Sequence, residues 1–180
     1  MKKKRIIRLS KVLSLLLFVL LALACLVLLL GIGSLFVKNS SFNIQRPHSQ
    51  GIVFFHACFG PLREGSVETN KIANLLALIF TLPPWMALYY QADSYFALLS
   101  EGASPFAAPL IKKMRQVNLL LYVADLLPLL VWPLIYWLFT GGLDISLVLS
   151  NTLFMAIVLT ILIEIFRYGA DLQQEVEETV

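Results

Sequence analysis

The stretch Val12-Leu-Ser-Leu-Leu-Leu-Phe-Val-Leu-Leu-Ala-Leu-Ala-Cys25-Leu-Val-Leu-Leu-Leu-Gly-Ile-Gly-Ser-Leu-Phe-Val37 carries no charged side chain. As a helix rising 1.5 Å per residue it exceeds the about 20 residues that cross a ~30 Å hydrocarbon core. Six basic residues, Lys2, Lys3, Lys4, Arg5, Arg8 and Lys11, precede it. Lipid is therefore the solvent in which this chain folds. A cleaved signal peptide is the rival reading, with Ala22-Leu-Ala24 as its cleavage site and Cys25 as a lipid acceptor. A signal's apolar core spans about 7–15 residues and then turns polar. Here Leu26-Val-Leu-Leu-Leu30 continues the run, so the stretch reads as a retained signal-anchor helix.

Working outward, the composition agrees. Apolar residues make up 59% and charged residues 14% of the 180, and the mean hydropathy is +0.82. Soluble domains run nearer 45–50% and 25%. The net charge of +3 points to no nucleic acid, because six of the 14 basic residues sit in the leading tail. That tail suits an anionic membrane surface. Two cysteines, Cys25 and Cys58, make no disulfide framework and no metal-ligand spacing.

Three further apolar stretches follow. The expected spans are about 12–37, 71–90, 117–139 and 145–166: one all-α integral membrane domain with four transmembrane helices and an extracytoplasmic loop between the first and second. Within that loop, Ile52-Val-Phe-Phe-His-Ala-Cys-Phe59 is β-branched and aromatic. A lone strand is marginal, so an interfacial segment or a hairpin is expected. Pro83-Pro84 should kink the second helix. That helix is expected to pass beyond the membrane to Glu101-Gly102, where glycine stops it. Ser104-Pro105 reads as the cap and first residue of the third helix, and Gly141-Gly142 as its end. Gly31, Gly33 and Ser34 form a small patch where another helix could approach, or simply where the first helix terminates.

Four crossings put both termini on one side. That side would hold ten of the 14 basic residues, and the other side Lys38, Arg46, Arg63 and Lys71. The asymmetry places both termini in the cytoplasm.

Few ionisable groups fall inside the spans. Asp125 is the deepest carboxylate, and at such depth it needs a partner or a proton. Tyr89 and Tyr90 on the second helix and Tyr122, one turn away on the third, are its candidate partners in an intramembrane polar site. A packing hydrogen bond and a ligand or proton site are both open readings. Glu164 and Arg167, at i,i+3, read as an interfacial ion pair. Asn74, Asn118 and Asn151 read as hydrated residues near helix ends. Trp137 reads as an interface marker and Trp85 as packed. The sequence holds no Gly-rich phosphate loop, nucleophile elbow or paired metal-ligand motif, so neither enzyme activity nor a metal or cofactor is expected. Lys112, Lys113 and Arg115 are too few for a nucleic-acid surface and suit phospholipid.

Two segments carry a resemblance. Tyr95-Phe-Ala-Leu-Leu-Ser-Glu-Gly-Ala-Ser-Pro-Phe106, followed by Leu110-Ile-Lys-Lys-Met-Arg-Gln116, and the ending Ile165-Phe-Arg-Tyr-Gly-Ala-Asp-Leu-Gln-Gln-Glu175 through Thr179-Val180 resemble a bacterial four-helix membrane family, the domain of unknown function 2975. This chain departs from it at Glu177-Glu178, where an Asp-Leu pair is common. The resemblance implies a bacterial plasma-membrane protein with no enzyme activity. It also implies a regulatory role beside a cytosolic helix-turn-helix transcriptional regulator, whose genes often neighbour this family's. The cytoplasmic docking surface would then use Phe106, Lys112, Lys113, Arg115, Arg167, Gln173 and Glu175. The alternatives are a small-molecule or lipid sensor with a pocket near Asp125, or a subunit of a membrane enzyme or transporter. Membrane lipid is the other expected partner, and an oligomer is compatible with the sequence.

Overall fold

The computed structural model describes residues 2–36, 51–59 and 67–179. Helix α1 runs over Lys2–Phe36, α2 over Val67–Ser100, α3 over Ala108–Thr140 and α4 over Asn151–Thr179. Two strands join them, β1 over Gly51–Phe59 and β2 over Leu143–Ser150. All four helices are long and apolar enough to cross a membrane. The fold is an all-α multi-pass membrane fold with a small strand ribbon attached.

Packing follows chain order: α1 lies on α2, α2 on α3 and α3 on α4. The apolar side chains of α1 remain outward, Leu15 at 66% and Leu29 at 68% exposure. In lipid this is no defect, because acyl chains are as apolar as leucine. Two polar pins fasten α1 instead. The Ser10 hydroxyl donates to the Phe96 carbonyl, and the Ser14 hydroxyl, one turn on, donates to Asp93. Gly33 has open space where a side chain would stand, so it marks no close helix approach.

Between α2 and α3 the core is Ala73, Ala77, Trp132 and Ile135. Two alanines one turn apart leave room on α2 for the Trp132 indole, with Tyr136 stacked on it at 6.0 Å. The Tyr136 hydroxyl donates to Asn74 Oδ1. Asn74 is 5% exposed and joins two helices, so it is not the hydrated end residue the sequence suggested. A second cluster of Ile111, Met114 and Ile163 binds α3 to α4, with Tyr95 of α2 against it.

Helix α2 runs through Pro83 and Pro84, and α3 through Pro128 and Pro133. As expected, α2 ends just before Gly102, whose φ is 92°, and α3 ends at Gly141, whose φ is 73°. The start of α3 differs from expectation. Ser104-Pro105 form a turn in which Ala107 N–H donates to the Ser104 carbonyl at 2.9 Å. The helix begins at Ala108, and Pro109 is the proline of its first turn.

The largest departure concerns 143–150. The fourth helix does not begin at Ile145. Residues 143–150 are a strand, paired antiparallel with β1 in the register Cys58↔Asp144, His56↔Ser146 and Val53↔Val148. Leu143-Asp-Ile-Ser-Leu-Val-Leu-Ser150 mostly alternates apolar and polar residues, which is the period of a strand. The partner lacking for Ile52–Phe59 is this segment. Pairing satisfies backbone groups that a single strand would leave open.

Candidate functional site

After Gly141 the chain turns back and follows α3 as β2, and α4 starts opposite Asp125 rather than level with Thr140. The return covers roughly 22 Å of α3 at 1.5 Å per residue. Helix α4 then descends α3 in the opposite direction, and the two share a polar seam. On α3 the seam uses Asp125, Tyr122, Asn118 and Arg115, whose spacings of three, four and three place them on one face. Facing it are Ser150, the residue just before α4, and Thr160, Glu164 and Arg167 of α4.

At the upper end, the Ser150 hydroxyl donates to Asp125 Oδ1 at 2.6 Å. The Ser150 Oγ in turn accepts the Leu153 N–H at 2.9 Å. Ser150 is thus the N-cap of α4, satisfying one of the helix's open donors, and also the partner of the Asp125 carboxylate. Asp125 is half-buried, and a bonded carboxylate there escapes the cost of an isolated one.

One step down, Thr160 donates its hydroxyl proton to the Ala156 carbonyl at 2.9 Å. With its one proton so used, Thr160 Oγ1 accepts from Asn118 Nδ2 at 2.8 Å and from the Tyr122 hydroxyl at 3.0 Å. Below that, Glu164 lies 3.4 Å from Arg115 and 3.7 Å from Arg167. The Glu164–Arg167 pair is the one expected from sequence, and Arg115 is its third member. At the lowest level Phe106 lies edge-on to Phe166, with ring centroids 5.6 Å apart. A Cβ at Gly169 would stand 3.0 Å from that ring, so glycine lets the α2–α3 turn sit against α4.

The proposed intramembrane group separates. Asp125 bonds Ser150, and the Tyr122 hydroxyl is taken by Thr160. Tyr89 lies against Trp85 at 6.2 Å, and Tyr90 is 62% exposed. The carboxylate therefore joins α3 to α4, not α3 to α2. Sequence reasoning missed Ser150, Thr160 and Asn118. Asn118 is 8% exposed and belongs to the seam, contrary to its reading as a hydrated end residue. Its spacing of four from Tyr122 within an apolar run was the available signal.

Among the lower residues, Lys112 is exposed, while Lys113 donates to Gln91 Oε1 of α2 at 2.9 Å. Gln173 and Glu175 are exposed on the last turns of α4. Beside Asn118 the seam opens into a groove of about 310 Å³. Among the described residues no group of three His, Cys, Asp or Glu side chains could hold a metal. On the ribbon, Cys58 Sγ stands 3.9 Å from His56 Nε2.

Comparison with family models, curated proteins and solved structures finds no match. Fold and seam together define the class: a multi-pass membrane protein whose last two helices are joined by polar contacts, with a helical extension beyond them.

Proposed function

We propose that this chain is a regulatory membrane protein that docks a cytosolic protein on the lower part of α4. The observation that carries the reading is the helix below the Glu164 ion pairs. Tyr168, Leu172 and Val176 are 65%, 43% and 63% exposed and lie four residues apart, one above the other. Acidic residues flank this stripe at Asp171, Glu175 and Glu178, and no basic residue follows Arg167. An apolar stripe beyond the charged level lies in water unless a protein covers it. The acidic border suits a partner with a basic surface, as DNA-binding regulators have. Phe106, packed on Phe166, holds the α2–α3 turn beside the base of this helix.

In this reading the protein sits in a bacterial plasma membrane with both termini in the cytoplasm, and belongs with the four-helix family that its turn and ending resemble. The partner is a cytosolic helix-turn-helix regulator of the kind often encoded beside that family's members. Binding would hold the regulator at the membrane and away from DNA.

The test is direct binding of that regulator to the purified chain in lipid nanodiscs. Wild type should bind, and binding should fall as salt rises. Leu172→Glu and Val176→Glu should each abolish it without altering the thermal unfolding of the membrane domain, since both side chains are exposed. Equal binding by wild type and both variants would reject the stripe as the docking surface.

A further inference from the structure

One acceptor in the seam receives no hydrogen. Asn118 Oδ1 is buried without a partner, and the residue is more than nine-tenths buried at 8% exposure. Thr160 fixes this orientation: its proton goes to Ala156, so it can only accept, and the amide must present Nδ2 to it. A buried amide oxygen left open is costly, and native chains rarely keep one without a partner.

Asn118 is part of the wall of the 310 Å³ groove, with Arg115, Leu119, Tyr122 and Glu164. The groove is open on its outer side, where Leu119 of its wall is 64% exposed. At its lower end the wall carries Arg115 and Glu164, and Glu164 is shared with Arg167, so one carboxylate serves two guanidinium groups. Lys112 and Lys113 lie at the same level, so this is where the membrane's charged layer meets the helices. Arg115 and Asn118 are three residues apart on one face, about 5–6 Å between Cβ atoms. A ligand fitting here has an anion for Arg115, a hydrogen-bond donor for Asn118 one short linker away, and apolar chains for the open side.

We propose that the α3–α4 groove binds one phospholipid whose headgroup carries a donor, its phosphodiester at Arg115 and its N–H or O–H at Asn118 Oδ1. Ethanolamine and glycerol headgroups meet this requirement. Choline does not, because its quaternary nitrogen has no hydrogen to give. The site is independent of the docking stripe on lower α4.

The experiment is native mass spectrometry of the full chain released from detergent after incubation with equal amounts of phosphatidylethanolamine, phosphatidylglycerol and phosphatidylcholine. The first two should remain bound at collision energies that strip the third. Asn118→Leu should lower retention of the ethanolamine lipid about tenfold, to the choline level, the factor set by one lost hydrogen bond to a buried group. Arg115→Gln should weaken all three. The wild-type comparison of lipids needs no variant and stands if a substitution fails to fold. Equal retention of the choline and ethanolamine lipids by wild type would overturn the proposal. So would discrimination that survives in Asn118→Leu. Displacement of the lipid by water-soluble glycerophosphoethanolamine would assign the groove to a soluble phosphodiester and overturn the lipid assignment.

Discussion

Ser150 carries two interactions with one oxygen, and that makes it the most sensitive single position in the seam. Its hydroxyl hydrogen goes to Asp125 and its lone pair caps α4. Loss of a serine cap costs about 1 kcal/mol, within 0.5–2. Intramembrane side-chain hydrogen bonds average about 0.6 kcal/mol, with a maximum near 1.7. Ser150→Ala should therefore destabilise the chain by roughly 1.5–2.5 kcal/mol in detergent unfolding, both losses together. Asp125→Asn should cost less, because an amide oxygen still accepts the Ser150 proton. A double-mutant cycle between the two positions should give a coupling of about 0.6–1.7 kcal/mol. A coupling of zero would show that the pair contributes nothing. Asp125 was legible in the sequence because a carboxylate in an apolar run stands out. Its partner was not, because Ser150 fell inside a segment read as the first turns of a helix, where its hydroxyl would bond its own helix turn and not Asp125 of α3. Asn118 was visible but misjudged: position near a helix end suggested water, while packing against α4 removes water.

At the scale of elements, the four helices could be read from apolar length, and the ribbon could not. Apolar length does not distinguish a buried strand from the start of a helix. Leu143–Ser150 runs directly into the apolar stretch of α4, and length alone merged the two. The alternation of Asp144 and Ser146 with leucine and isoleucine was the discriminating signal, and it gains force only beside the matching run at 51–59. Two predictions belong here. Gly141 ends α3 at φ 73° with open space around its Cα. Gly141→Ala should cost about 1–2 kcal/mol, from the left-handed backbone alone and not from a clash. A melting temperature unchanged from wild type would remove that argument. The register supplies the second. Cys58 stands opposite Asp144. Directly opposed Cα atoms in an antiparallel pair lie about 4.5–5.5 Å apart, within the range that a disulfide bridges. Asp144→Cys should form an intramolecular disulfide with Cys58 on mild oxidation, seen as a loss of two hydrogens by mass spectrometry. Leu143→Cys, which shifts the thiol to the opposite face of β2, should form far less. Equal yields would break the register.

At the scale of the molecule, polar groups do the work of position while apolar surface does the work of insertion. The exposed leucines of α1 face lipid, and the chain is held together where hydroxyls, carboxylates and amides meet between helices. The same division governs orientation. Ser10 of α1 meets Phe96 of α2, Lys113 of α3 meets Gln91 of α2, and Glu164 of α4 meets Arg115 of α3. The leading basic tail, the cluster at 112–115 and Arg167 consequently gather at one end of the helices. That end holds ten of the 14 basic residues by sequence position. Lysine and arginine near span ends resist translocation, so the positive end should be cytoplasmic. A reporter that fluoresces only in the cytoplasm, fused after Val180, should be bright, and an enzyme reporter active only outside should be silent at the same junction. The reverse pattern would invert the molecule and place the α4 docking stripe out of reach of any cytosolic regulator. The magnitude of the bias is testable as well. Neutralising the six basic residues of the leading tail leaves four against four. The two reporters should then both give signal, because the charge difference that sets the orientation has been removed while the four apolar helices that set insertion have not.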